Sequence, residues 1–318
     1  MGRILITGGN GFVGSHLAER LVALGQSVTL FDLHFTSNSR GLGCAKVRGD
    51  VRDYRSVREA ARGKDAVFHF AAVSRVAWGQ QDPYSCWVTN QLGTLNVLES
   101  CRKSRSKPVL FYASSREVYG EPETLPVTES APNNPISVYG MTKLCAERAC
   151  LTYAAPETNG HKVNQVIFRF SNVYGSERDV PERVIPKFMA KALRGEDITL
   201  FGGDQVLDFT FIDDTVFGIL KAYQATLDGR DDLFGQKFHF VTGRGVSISD
   251  LAKMVVEVTG SSSQILKGSS NGFDVRRFIG DPAKSRTVLG FEARVPLEEG
   301  LETLKERLLT IETTPAAT

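Results

Sequence analysis

Tyr139 and Lys143, in the stretch Tyr-Gly-Met-Thr-Lys, stand four residues apart and would share one face of a helix. A phenol beside an ammonium can act as a general base, because the neighbouring positive charge favours the phenolate. Such a spacing arises by chance in many helices, so its surroundings decide its meaning. Ahead of it an apolar run, Pro108 to Ala113, ends in Ser114-Ser115. In a parallel sheet ligands bind beyond the carboxyl ends of strands, and Ser115 would stand there. Its hydroxyl can hydrogen-bond the oxygen that Tyr139 deprotonates. Arg116 and Glu117 follow at the same strand end.

A second arrangement opens the chain. The run Arg3-Ile4-Leu5-Ile6-Thr7 enters three glycines, Gly8, Gly11 and Gly14, at the spacing G-x-x-G-x-x-G, with Phe12 and Val13 between the last two. Gly8 suits a tight turn off a strand, Gly11 lets a pyrophosphate approach the backbone, and Gly14 lets the following helix pack closely on the strand. That helix should bury Val13, Leu17, Leu21 and Leu24 and stop at Gly25. Its N-terminus offers free N–H groups and partial positive charge to phosphates. The next strand, Ser27 to Phe31, ends in Asp32, where a carboxylate can accept the hydroxyls of an adenosine ribose. The expected cofactor is NAD, because Asp32 would repel the 2′-phosphate of NADP. The positive nicotinamide ring and Lys143 together should bring the Tyr139 phenol from about 10 toward neutrality.

The elements that hold these residues alternate. Strands are expected at Lys46 to Val51, Ala66 to Ala72, Pro108 to Ala113 and Val163 to Phe170. Helices are expected at Tyr54 to Ala61, from about Pro83 to Lys103, and from about Val138 to Tyr153. His69, inside an apolar strand, reads as a core histidine. This is an α/β pattern, a doubly wound and mostly parallel Rossmann sheet. From Ser171 the pattern changes: a charged, proline-containing loop, a helix to Gly195, and a short strand at Ile198 to Phe201. Asp208 to Leu227 reads as a strand end and helix, Lys237 to Val241 as a sheet strand, and Ser247 as the cap of a helix to Thr259. The expected division is an NAD-binding domain over 1–172, with about 208–243 returning to it. A smaller α/β substrate-binding lobe would take about 173–207 and 244–318, with a frayed end from Thr313.

Across 318 residues, 42% are hydrophobic and 23% charged, with a net charge of +2, which points away from disorder and from nucleic acid as a partner. No apolar run reaches membrane-spanning length. With a strand starting within three residues of Met1, no signal peptide is expected; the five cysteines form no C-x-x-C pair and read as reduced thiols of a cytoplasmic protein. No metal site is expected.

Taken together, the chain resembles the extended short-chain dehydrogenase/reductase family, specifically its nucleotide-sugar epimerases and dehydratases, UDP-glucose 4-epimerase among them. The resemblance spans nearly the whole length. It rests on Thr7-Gly-Gly-Asn-Gly-Phe-Val-Gly14, Asp32, Gly49 to Asp53, Phe68 to Ala72, Ser114-Ser115, the Tyr139/Lys143 pair, and Arg169 to Gly175. It implies that Asp50 and Val51 contact adenine, that Ala71 and Ala72 line the nicotinamide path, and that Lys143 holds the nicotinamide ribose. Asn90 would stand behind the active site. On the substrate side it implies Arg75, Ser115, Arg116, Asn172, Arg183 and Arg276, with Asn172 on the diphosphate. It also implies a homodimer paired through Pro83–Lys103 and Val138–Tyr153.

Two departures bear on the substrate. Many epimerases have an arginine where this chain has Leu207, in Gln205-Val-Leu-Asp-Phe209, and the arginine usual before Asp274 is replaced by Asn271. The diphosphate charge then falls to Arg183, Arg276 or Arg277. Dehydratases of the family place an Asp–Glu pair after the hydroxyl residue; here the Asp position is Arg116, a poor proton donor. Decarboxylases carry Arg-Lys-Pro where this chain reads Arg277-Phe278-Ile279. The resemblance therefore implies inversion at C4 of a UDP-hexose through a 4-keto sugar. The alternatives are a 4,6-dehydratase, with Glu117 as the base that removes the C5 proton, and a UDP-glucuronate decarboxylase. A non-catalytic NAD-binding sensor would be expected to lack Tyr139 or Lys143.

Overall fold

A computed structural model describes residues 1–155, 162–268 and 275–313. The chain opens with β1 (Arg3–Thr7), α1 (Phe12–Ala23), β2 (Ser27–Asp32), β3 (Ala45–Arg48), α2 (Tyr54–Ala61) and β4 (Ala66–His69). Three short helical pieces follow, α3 (Val76–Gln81), α4 (Pro83–Trp87) and α5 (Gly93–Arg102), and then β5 (Val109–Ser115), α6 (Val138–Ala154) and β6 (Gln165–Phe170). The second half holds β7 (Asn172–Tyr174), α7 (Val184–Leu193), β8 (Ile198–Phe201), β9 (Val206–Phe211), α8 (Ile212–Leu227) and β10 (Lys237–Phe240). It closes with β11 (Gly245–Ser247), α9 (Ile248–Thr259), β12 (Ile265–Gly268), β13 (Arg277–Phe278), α10 (Ala283–Leu289) and α11 (Leu297–Thr313).

Seven parallel strands form the main sheet in the order β10-β6-β5-β4-β1-β2-β3. Its apolar residues alternate between two cores, Ile4, Ile6, Ala66 and Phe68 on one face and Leu5 and Val67 on the other. That alternation is what a strand covered by helices on both sides must show. The chain winds outward from β1 through β2 and β3, then returns to the other side of β1 with β4. This reversal lies between the carboxyl ends of β1 and β4, the place where such sheets bind ligands. A second sheet orders β11-β9-β13 with β7 also on β9, and β12 pairs with β8.

Several boundaries differ from those expected. Leu24 is exposed, because α1 ends at Ala23 and Gly25 turns the chain with φ +74°. β3 stops at Arg48, so Asp50 and Val51 stand in the turn beyond it. The long helix expected from Pro83 is interrupted by a π-helical turn at Val88–Leu92. The freed carbonyl of Asn90 takes the Thr94 hydroxyl at 2.6 Å. β5 is longer than expected and carries Ser114 and Ser115 within the sheet. The expected return to the first domain near 208 falls inside β9, whose partners all belong to the second sheet. Asn271 and Asp274 lie outside the described residues.

Candidate active site

At the end of β1 the glycines set the backbone. Gly8 has φ +68°, and a Cβ there would stand 2.6 Å from the Ala71 nitrogen. A Cβ on Gly14 would collide with the Gly8 carbonyl oxygen, so only glycine lets α1 start this close to the strand. Gly11 is the N-cap of α1 without a side-chain cap, leaving the first-turn amides of Phe12 and Val13 to a ligand. Asp32 ends β2 with one carboxylate oxygen on the Asn10 amide at 2.9 Å. Burial raises its pKa, against the lowering pull of that amide and those of His34 and Leu33. Asp50 is held by Arg52, Nε to Oδ2 at 2.8 Å, and Val51 is buried beside Gly93, where a Cβ would come within 2.8 Å. With Ala71 and Ala72 beyond β4, these residues line one side of a cleft of about 730 Å³. A cradle that rejects any Cβ, a helix N-terminus and a carboxylate at the second strand end fit a dinucleotide along its whole length.

Across the cleft, Ser137 caps α6 by accepting the Gly140 amide at 3.0 Å. Gly140 lets that first turn press on β5's continuation, since a Cβ would lie 2.5 Å from the Glu117 carbonyl oxygen. This seats Tyr139 against Ser115. Lys143 is 4% exposed; its Nζ donates to the Ala113 carbonyl at 2.8 Å and stands 5.8 Å from the centre of the Tyr139 ring. The expected lowering of the Tyr139 phenol is not present in the protein's own field. Burial pushes it up to about 12, only partly offset by the Ser115 hydrogen bond and the charge of Arg183. Burial likewise pulls the Lys143 ammonium down to about 8. Desolvation outweighs the neighbouring charge at this site.

Behind this pair runs a buried network that spacing did not reveal. The Ser114 hydroxyl donates to Glu147, which takes the Arg169 guanidinium at 2.6 and 2.8 Å. Arg169 continues to the Tyr119 hydroxyl at 2.6 Å, and that hydroxyl meets His239 Nε2 at 2.6 Å. The only sequence signal was a charge at a strand position otherwise apolar. Asn90 takes the Val73 amide at 2.8 Å and donates to Thr142 at 2.9 Å, tying the loop after β4 to α6. His69 is bonded to Thr7 at 2.7 Å and Thr94 at 3.0 Å.

On the substrate side Arg75, Ser115, Arg116, Glu117, Asn172 and Arg183 all line the cleft. Arg75 reaches across it to the Glu182 carbonyl at 3.1 Å, and Arg183 faces Asp179 at 3.3 Å. Burial holds the Asp179 carboxyl up near 6. Asn172 donates to the Asp208 carbonyl at 3.1 Å. Among the described residues that line the cleft, Arg276 is not present. Val275 and Phe278 turn inward on either side of Arg276 and Arg277, leaving both arginines exposed. Leu207 is core, 8% exposed, with β13 on one side and β11 on the other.

A doubly wound sheet, a Cβ-free phosphate cradle and a Tyr–Lys–Ser group facing it define an NAD-dependent enzyme of the short-chain dehydrogenase/reductase type. The chain belongs to the NAD dependent epimerase/dehydratase family, whose model matches residues 4–233. It is similar to UDP-glucuronic acid decarboxylase 1 of Xenopus tropicalis, 32% identical over 94% of this chain and 70% of that one. UDP-glucose 4-epimerase of Thermotoga maritima, solved with UDP-glucose, superposes with TM-score 0.89 at 29% identity over 98% of this chain and 99% of that one. UDP-glucuronic acid 4-epimerase of Bacillus cereus, solved with UDP-glucuronic acid and NAD, gives 0.88 at 27% over 97% and 99%. The cofactor is NAD.

Proposed function

We propose that the protein is a nucleotide-sugar epimerase that inverts C4 of a UDP-hexose through a 4-keto sugar. Bound NAD supplies the hydride acceptor and donor for that carbon. Tyr139 holds the proton of the C4 hydroxyl and Ser115 orients the same oxygen. Lys143, charged and fixed on Ala113, holds the nicotinamide ribose and favours the phenolate. Asn172 and Arg75 face the diphosphate from the first domain, and Arg183 faces it from the lobe. The lobe closes over the sugar and keeps water from the keto intermediate.

The observation that carries this reading over loss of water is the partner of Glu117. Its carboxylate lies 3.0 Å from the Arg116 guanidinium, a group that does not give up a proton. Glu117 therefore stands beside a permanent cation and not beside an acid that could protonate a departing hydroxyl. Helices α4 to α6 carry the exposed apolar side chains Tyr84, Trp87, Leu92 and Met141, which supports pairing of two copies there. Incubating the protein with UDP-, GDP-, CDP- and dTDP-sugars and reading products by NMR tests the reading. An epimer of unchanged mass is expected; a product lighter by water or carbon dioxide contradicts it.

A further inference from the structure

Arg116 differs from the other buried arginine near the site. Arg169 makes five hydrogen bonds and leaves little to satisfy. The Arg116 side chain is only 12% exposed, yet among the described residues its guanidinium makes no hydrogen bond. It touches Glu117 at 3.0 Å, lies 5.8 Å from the centre of the Phe278 ring, and its Nη1 is buried with no partner. The two N–H groups of that Nη1 demand acceptors, and leaving such buried donors unmet costs about 1–3 kcal/mol. The side chain lines the cleft, so a ligand can supply what the protein does not.

Position limits what that ligand group can be. Arg116 directly follows Ser115 and lines the same cleft as Ser115 and Tyr139, its guanidinium on Glu117 and over Phe278. The other substrate-side arginines, Arg75 and Arg183, stand with Glu182 and Asp179 of the lobe loop. An anion at Arg116 is then a substituent of the sugar ring and not the diphosphate. Planar, forked donors match a carboxylate, with Glu117 remaining on the opposite nitrogen. Resting on the epimerase reading, we propose that the substrate is a nucleotide-linked hexuronate and that Arg116 holds its ring carboxylate.

The test compares UDP-glucuronate with UDP-glucose on the NAD-loaded enzyme, by calorimetry for binding and by NMR for products. Wild type should bind and turn over the uronate about tenfold better or more, the worth of one charge-assisted contact. Arg116→Gln should remove that preference, raising KM for the uronate at least about tenfold more than KM for UDP-glucose, and Arg116→Lys should restore part of it. Equal affinity of wild type for the two sugars overturns the proposal, whether or not the variants fold. So does an equal loss on both sugars in Arg116→Gln. A bound uronate that yields a pentose would uphold the carboxylate site while refuting the epimerase reading; a preference for UDP-glucose with clean epimerisation would do the reverse.

Discussion

The cofactor side and the substrate side of the cleft are built by different means. On the first, the ligand meets backbone. Gly8 and Gly14 are there because a Cβ would strike Ala71 or the Gly8 carbonyl, and α1 presents its own amides. On the second, the ligand meets long side chains from distant places: Arg75 ahead of α3, Arg116 after β5, Arg183 at the start of α7. Backbone cradles tolerate little variation, whereas a cation can be moved among sites. Leu207 shows this, since a position that carries an arginine in many epimerases is here part of the core. On the proposed function the diphosphate charge would fall to other cations of the cleft, while the glycine cradle keeps its form.

Breaking the seam between the two sides should have the largest effect. Tyr139→Phe keeps the ring in its buried place and removes only the proton carrier, so kcat should fall roughly 10²–10⁴-fold with thermal stability unchanged. Near wild-type turnover would refute the assignment of the base.

The framework behind the seam should fail as stability. Glu147→Ala leaves the fully buried Arg169 guanidinium without its carboxylate, which is expected to cost about 3–5 kcal/mol in denaturant unfolding. A loss under about 1 kcal/mol would mean that the network is not what holds Ser114 and β5 in register.

The substrate side can be sharpened by a pair of variants. Arg183→Ala should raise KM for a UDP-sugar roughly 10–100-fold, the loss of a hydrogen bond to a charged group. Arg276→Ala, exposed and outside the cleft, should leave KM unchanged. The opposite pattern would return the diphosphate to the β13 edge.

The cofactor side gives the mildest prediction. Asp32 should favour NAD over NADP by at least about tenfold in Kd, because its buried carboxylate accepts ribose hydroxyls and repels phosphate. Comparable constants would show that Asp32 does not face the ribose.

These differences also explain what could be read from the chain alone. The glycine spacing, Asp32 and the helical Tyr139/Lys143 pair are local patterns, and each stands in the cleft where the pattern put it. Arg276 is exposed just ahead of β13; a motif says which residues are near in sequence and not which way the chain turns them. The Glu147–Arg169 pair joins α6 to β6 through the interior, and no spacing within either element announces it. The Tyr139 phenol shows the same for the protein's own groups, before the nicotinamide charge on which the expected lowering also rests is counted. Burial is a property of the folded neighbourhood, and it pushed the phenol up where proximity to Lys143 argued for down.

The central claim is that C4 alone is inverted, with Glu117 held by Arg116 and taking no proton from carbon. Running the reaction to equilibrium in deuterium oxide and examining the recovered sugars by NMR and mass spectrometry tests it directly. The account predicts both C4 epimers at unchanged mass, with hydrogen retained at C4 and at C5. Deuterium at C5 or a product lighter by water would contradict it and make Glu117 a base; a product lighter by carbon dioxide would contradict it as well.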